Sequence, residues 1–368
     1  MNVKKCLSAI LFLSLFFFLS VASFADEDPI MTVQLDSLQA DQITDAMPYD
    51  ARDILRDVDI ALPDLQSGLG DIMKNVRTKD AGATVVTLGL KILAMVFLCG
   101  ICNEFIDNGR KITNIACVLL VAILAIGDVR GVMALSVQTI EQMLLLSKTL
   151  FPILATSAAT AGMPLEGAAK CAVTVMSIDL LMEIMAKCLV PLIYIYIVLT
   201  LANGITGNQI FSKLSEIVSG FVTGVLKLSV TLFLAYISIS SAIAAGSDTL
   251  AKRTARFAIS SGVPVVGSAL SDGSEAILSS ANLIKNSLGV YGLLCILAIL
   301  VTPLVMIGIR FLAFKLLSGV SGTVAEDSVI KLLDGLSKAY SMIFGLSVAM
   351  GVMLLISITQ IIMMTGGA

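Results

Sequence analysis

The chain has 368 residues, 57% of them hydrophobic and only 14% charged, with a mean hydropathy of +0.97. A water-soluble domain of this size cannot cover so much apolar surface, so lipid is its solvent. The net charge of −3 and the absence of dense basic clusters leave no place for a nucleic-acid stripe. The absence of any histidine removes Ser-His-Asp and Cys-His nucleophile systems and HExxH zinc sites.

Lys4 and Lys5 precede an apolar run over residues 7–24 that ends in Ser23-Phe24-Ala25. This is the pattern of a cleaved secretory signal peptide, residues 1–25. An uncleaved signal anchor, the alternative, leaves the following segment on the same side. Residues 26–83 form an acidic extracytoplasmic segment with thirteen Asp/Glu against five Lys/Arg. Within it Ile54, Leu55, Val58 and Leu62 fall at helical spacing, which predicts short amphipathic helices packed on the core, on the membrane surface or on a partner.

Residues 84–128 read as a first transmembrane helix pair, with spans at Ala83–Cys102 and Ile112–Gly127 joined by a loop holding Arg110 and Lys111. The positive-inside rule puts that loop in the cytoplasm, in agreement with an exported amino-terminal segment. Val132–Lys148 is amphipathic, and Phe151-Pro152 opens a small-residue stretch to Gly162. A mixed helix from Leu165 leads into a span near Cys188–Ala202, and Asn203-Gly204 with Gly207-Asn208 marks a turn. A span at Phe221–Ala245 follows, then a linker whose Lys252, Arg253 and Arg256 are expected in the cytoplasm. Further spans near Leu288–Ile309 and Tyr340–Met364 flank a loop around Ser318–Asp327. The fold class is all-α, a polytopic helical membrane protein with about seven or eight crossings.

The blocks 129–250 and 251–368 read as two membrane repeat units. With a shift of 112, Phe151-Pro152 falls on Val263-Pro264 and Pro191-Leu192 on Pro303-Leu304. After six inserted residues, Lys213-Leu214 falls on Lys331-Leu332 and Leu228-Ser229-Val230 on Leu346-Ser347-Val348. The matched prolines favour a duplication over chance similarity of apolar sequence, because the whole chain has eight. Pro152, Pro191, Pro264 and Pro303 are therefore candidate helix breaks or repeat markers. The small-residue stretches after Pro152 and Pro264 are either broken, re-entrant segments or surface loops.

Asp179, Glu183 and Lys187 recur every four residues, with Glu183 and Lys187 in the favourable order for an ion pair. Together with Lys227, which interrupts an apolar span, they are the candidate partner or conduit face. The competing reading is an interfacial stripe and a snorkelling lysine. Arg310 and Lys315 read as anchors at a span end, and Gly220-x-x-x-Gly224 permits close helix approach. Cys99-x-x-Cys102 ends an apolar helix without a βαβ context and reads as apolar filler. No phosphate-binding loop is present, so any energy input comes from an ATPase partner or an ion gradient.

The order of these segments, with Ser261-Gly262-Val263-Pro264-Val265-Val266-Gly267-Ser268-Ala269-Leu270-Ser271-Asp272, then Leu283-Ile284-Lys285-Asn286-Ser287-Leu288-Gly289 and Pro303, resembles the stage III sporulation protein AE family of endospore-forming bacteria. The resemblance covers most of residues 80–368 and brings no catalytic motif. It implies a cell-membrane component in the mother-cell membrane around the forespore, with residues 26–83 on the intermembrane side. It also implies partners among the other stage III sporulation A proteins, including a secretion-type ATPase and ring-forming subunits of a channel-like complex. The expectation is thus a non-enzymatic integral membrane subunit of a transenvelope, secretion-like complex, in contact with membrane lipid, with no cofactor, metal or nucleic acid. The alternative is a stand-alone secondary transporter for a small solute, suggested by the duplication.

Overall fold

A computed structural model describes the backbone of residues 43, 47–55, 72, 78–105, 110–160, 165–262, 267–322 and 325–366. Side chains are described for 43, 47, 48, 51–55, 72, 83–102, 112–154, 176–236, 288–322 and 325–359. The signal-peptide segment, most of the acidic segment and Pro264 lie outside the described residues. Along the chain run α1 (Tyr49–Ile54), α2 (Thr78–Phe105), α3 (Arg110–Thr160), α4 (Leu165–Thr206), α5 (Gln209–Gly262), α6 (Gly267–Ser321) and α7 (Asp327–Gly366). No strand occurs among the described residues, and six helices are long and apolar enough to cross a membrane. The chain is a helical membrane protein.

The helices are longer than the spacing of apolar runs predicts. The span at 112–127 and the amphipathic segment at 132–148 form one helix. Its apolar stretch Ile112–Leu154 has 43 residues, about 64 Å at 1.5 Å per residue and twice the hydrocarbon thickness of roughly 30 Å. Its exposed side chains change along the way. Ile112, Ile115, Leu119, Leu120 and Ile123 are exposed in the first half, whereas the second exposes Arg130, Gln138, Glu141 and Lys148 beside Leu145. The outer face of α3 is therefore apolar over 112–127 and mixed beyond it.

Helices also run through Pro152, Pro191 and Pro303, which sit inside α3, α4 and α6. Each proline removes one backbone hydrogen bond, and neighbouring helices make that tolerable in a bundle. Where their backbone is described, the small-residue stretches are helical too, at the end of α3 and the start of α6. The unit boundaries at 128 and 250 fall inside α3 and α5 and do not coincide with helix ends.

The turn between α4 and α5 is built as the sequence predicts for Gly207-Asn208, while Asn203-Gly204 remains helical. Gly207 takes φ +66, a left-handed conformation that only glycine adopts freely, and its N–H donates to the Asn203 carbonyl at 2.8 Å. Asn208 Oδ1 accepts the Ile210 N–H at 3.0 Å and caps α5. α5 starts at Gln209 and α7 at Asp327, so Lys213 and Lys331 hold the same place in their helices. Pro191 and Pro303 lie inside the helices that precede them.

α6 and α7 are central, with 56% and 61% of their most apolar window buried, against 17% for α2 and 22% for α5. Close approaches fix the packing. A Cβ on Gly204 would touch Leu332 of α7 at 3.3 Å and Val118 of α3 at 3.4 Å, and one on Gly292 of α6 would meet Leu150 of α3 at 2.6 Å. α3 is thus antiparallel to α4 and α6, and Val118, Gly204 and Leu332 share one end of the bundle. Buried Ser136, Ser347 and Ser357 donate to carbonyls one turn back, so none brings an unsatisfied hydroxyl into the core.

Arg110 and Lys111 begin α3 at the Gly204 end. Lys252, Arg253 and Arg256 lie in the continuous α5, with Lys252 roughly 65 Å along the axis from Gln209. Of the amphipathic pattern predicted around α1, Val58 and Leu62 lie outside the described residues. Ala51, Ile54 and Leu55 are buried, Arg52 and Asp53 are exposed, and the helix packs against α6. Cys99 and Cys102 are free thiols.

Candidate functional site

Asp128 and Arg310 are charges that close apolar runs on separate helices. α3 and α6 bring them together. Arg310 Nε donates to Asp128 Oδ1 at 2.9 Å and to Oδ2 at 3.2 Å. Its second nitrogen, Nη1, donates to the Met306 carbonyl one turn back at 3.1 Å. Tyr340 of α7 donates its hydroxyl to Asp128 Oδ2 at 2.7 Å. The Tyr340 ring stands 5.0 Å from that of Phe314, tilted by 41°.

The charged side chains are 13% and 10% exposed, and Tyr340 is fully buried. Charges this far from water persist only when paired and hydrogen-bonded. Here the carboxylate accepts from a guanidinium and a phenol at once, and the site joins α3, α6 and α7. Next to it, a cavity of about 510 Å³ opens between α2 and α3, lined among others by Thr84, Thr87, Lys91, Gly127 and Asp128. What the arrangement does chemically is to clamp three helices at the depth where the exposed face of α3 changes from apolar to mixed. Replacing Tyr340 by phenylalanine removes one hydrogen bond to a charged group. We expect it to lower stability by about 2 kcal/mol, readable as a lower unfolding temperature of the detergent-solubilised protein.

The residues singled out from the sequence are distributed differently. Asp179 turns inward and accepts a hydrogen bond from Ser147 Oγ of α3 at 2.7 Å. Glu183 and Lys187 pair at 2.7 Å on the exposed side. The face predicted as one stripe is therefore divided between a helix contact and a surface pair. Exposed pairs contribute little to stability, so Glu183→Lys is expected to leave the unfolding temperature unchanged. A sporulation defect in that variant would then report lost contact with a partner. Lys227 is exposed on α5 and has no ion pair among the described residues.

Arg310, expected as an anchor, is the centre of the buried cluster, and Lys315 pairs with Asp334 of α7 at 2.5 Å on the surface. Sequence reasoning missed Asp128, Tyr340 and Lys91. Asp128 is 182 positions from Arg310 and 212 from Tyr340, so no local spacing connects them. Lys91 offered a signal, as it interrupts the apolar stretch Ala83–Cys102.

Comparison with known proteins assigns the chain. The family model described as stage III sporulation protein AE matches residues 70–366, a range that contains all six apolar helices. The stage III sporulation protein AE of Bacillus subtilis (strain 168) is 24% identical over 281 residues, covering 75% of this chain and 70% of that protein. No solved structure matches.

Proposed function

Because the chain belongs to the stage III sporulation protein AE family, and so has a role in sporulation, we propose that it is a non-enzymatic membrane subunit of a transenvelope complex. The complex would connect the mother cell to the forespore during endospore formation. The observation that carries this reading is the family match across all six apolar helices. The buried polar groups support it, because Asp128, Arg310 and Tyr340 bind one another and tie helices together, as a scaffold requires.

In this reading the subunit sits in the mother-cell membrane around the forespore. Its acidic segment lies in the intermembrane space, and its partners are other stage III sporulation A proteins, including an ATPase and ring-forming subunits. Two features of the bundle favour that orientation. α1 packs on α6, with Arg52 within electrostatic reach of Tyr291. Tyr291 neighbours Gly292 and hence Leu150 of α3, far from the end that begins with Arg110 and Lys111. α1 and that basic pair therefore lie toward opposite ends, in keeping with an exported amino-terminal part and a cytoplasmic loop.

Affinity purification of the tagged protein from sporulating cells, with mass spectrometry of what accompanies it, tests the proposal. Recovery of other stage III sporulation A proteins in constant ratio is the expected result. Recovery of the protein alone, together with solute flux in liposomes containing only this chain, would establish a self-sufficient transporter instead.

A further inference from the structure

α5 has two exposed stripes. Ile210, Leu214, Ile217, Phe221, Leu228 and Leu232 form an apolar one suited to lipid. Beside it, Lys213, Glu216, Gly220, Gly224 and Lys227 are also exposed, and at 100° per residue they fall within one narrow sector of the helix. A Cβ placed on Gly220 or Gly224 would meet nothing within 4 Å. A small-xxx-small surface bordered by charges, open on a membrane helix, is unsuited to acyl chains and suited to another helix.

In the second helix hairpin the corresponding carboxylate has a cation. Asp334 of α7, the counterpart of Glu216, is paired with Lys315 of α6. Glu216 has no such cation among the described residues.

We propose that this face of α5 docks against the same face of a second copy of the chain. Two copies in one membrane share an orientation, so their α5 helices run parallel about a two-fold axis and the glycines meet at equal depth. Lys213 of one copy then lies about 4.5 Å along the axis from Glu216 of the other, and symmetry makes that pairing twice. Lys227 stands above the crossing, where the helices diverge and its long stem reaches toward water. The inference uses the helical membrane fold and does not depend on the sporulation complex proposed above.

The test is disulfide trapping in native membranes, using the full chain with its cysteines replaced by serine. Gly224→Cys is expected to give a dimer of twice the chain mass on copper–phenanthroline oxidation. Its yield should be at least tenfold above that of Leu228→Cys, which lies one turn on but in the lipid-facing stripe; cysteines can only join where their backbones approach closely. Adding Lys213→Glu should reduce the Gly224→Cys product at least fivefold, and adding Glu216→Lys to that variant should restore it. Equal yields at 224 and 228, a product of another mass, or failure of the charge swap to restore trapping would overturn the proposal. Since neither glycine touches another part of the chain, folding of the single copy is not at stake.

Discussion

Arg310→Met is expected to destabilise the protein by about 3–5 kcal/mol, because it leaves the Asp128 carboxylate buried with only the Tyr340 hydroxyl as partner. The cost comes mainly from the orphaned charge and less from the loss of attraction. That distinction has a direct consequence. Combining Arg310→Met with Asp128→Leu removes both charges and should recover most of the loss, leaving a deficit of about 1–3 kcal/mol for the stranded Tyr340 hydroxyl. The measurement is thermal unfolding in detergent, monitored by loss of the monodisperse peak. If the double variant is as unstable as the two single losses added together, the residues do not act as a pair. If Arg310→Met alone is silent, the three helices are not held at this point.

Gly335→Leu should separate α4 from α7. Its Cβ position overlaps Thr200 Cγ2 of α4, and Thr200 is buried and β-branched, so it cannot swing aside. The Tyr196 hydroxyl of α4 also donates to the Gly335 carbonyl at 3.1 Å, a contact that survives only while the helices stay close. Overpacking at such a crossing costs about 3 kcal/mol, and the lost hydrogen bond adds about 1 kcal/mol. Gly131→Leu is the control. It places the same side chain on an open helix surface, and the stability of the single chain should change by less than about 0.5 kcal/mol. Equal unfolding temperatures for the two variants would mean that the α4–α7 approach is not the tight one described.

Much of the fold was legible because lipid preference is a property of each residue, summed along the chain. The apolar stretches on α2 and the first half of α3, the turn at Gly207-Asn208, and the Glu183–Lys187 pair all follow from local chemistry over a few residues. Helix length was less legible. A drop in hydropathy after Gly127 suggests an end, but α3 continues because the bundle covers its buried face while the exposed face turns mixed. Pro152, Pro191 and Pro303 lie inside continuous helices for a related reason. A proline breaks an isolated helix, whereas contacts of the helix with its neighbours hold it in line.

Composition and pattern thus determined, without any coordinates, that the chain is helical and membrane-embedded, and the residues around Pro264 and Pro303 identified its family. The tertiary structure alone decided that Asp128 meets Arg310 and Tyr340, that Asp179 turns in toward Ser147 while Glu183 stays out, and that Gly335 is covered while Gly220 is open. The reason is physical. Periodicity defines the faces of a helix, but which face meets which neighbour, and at what height, depends on how separate helices cross, and residues hundreds of positions apart set that together.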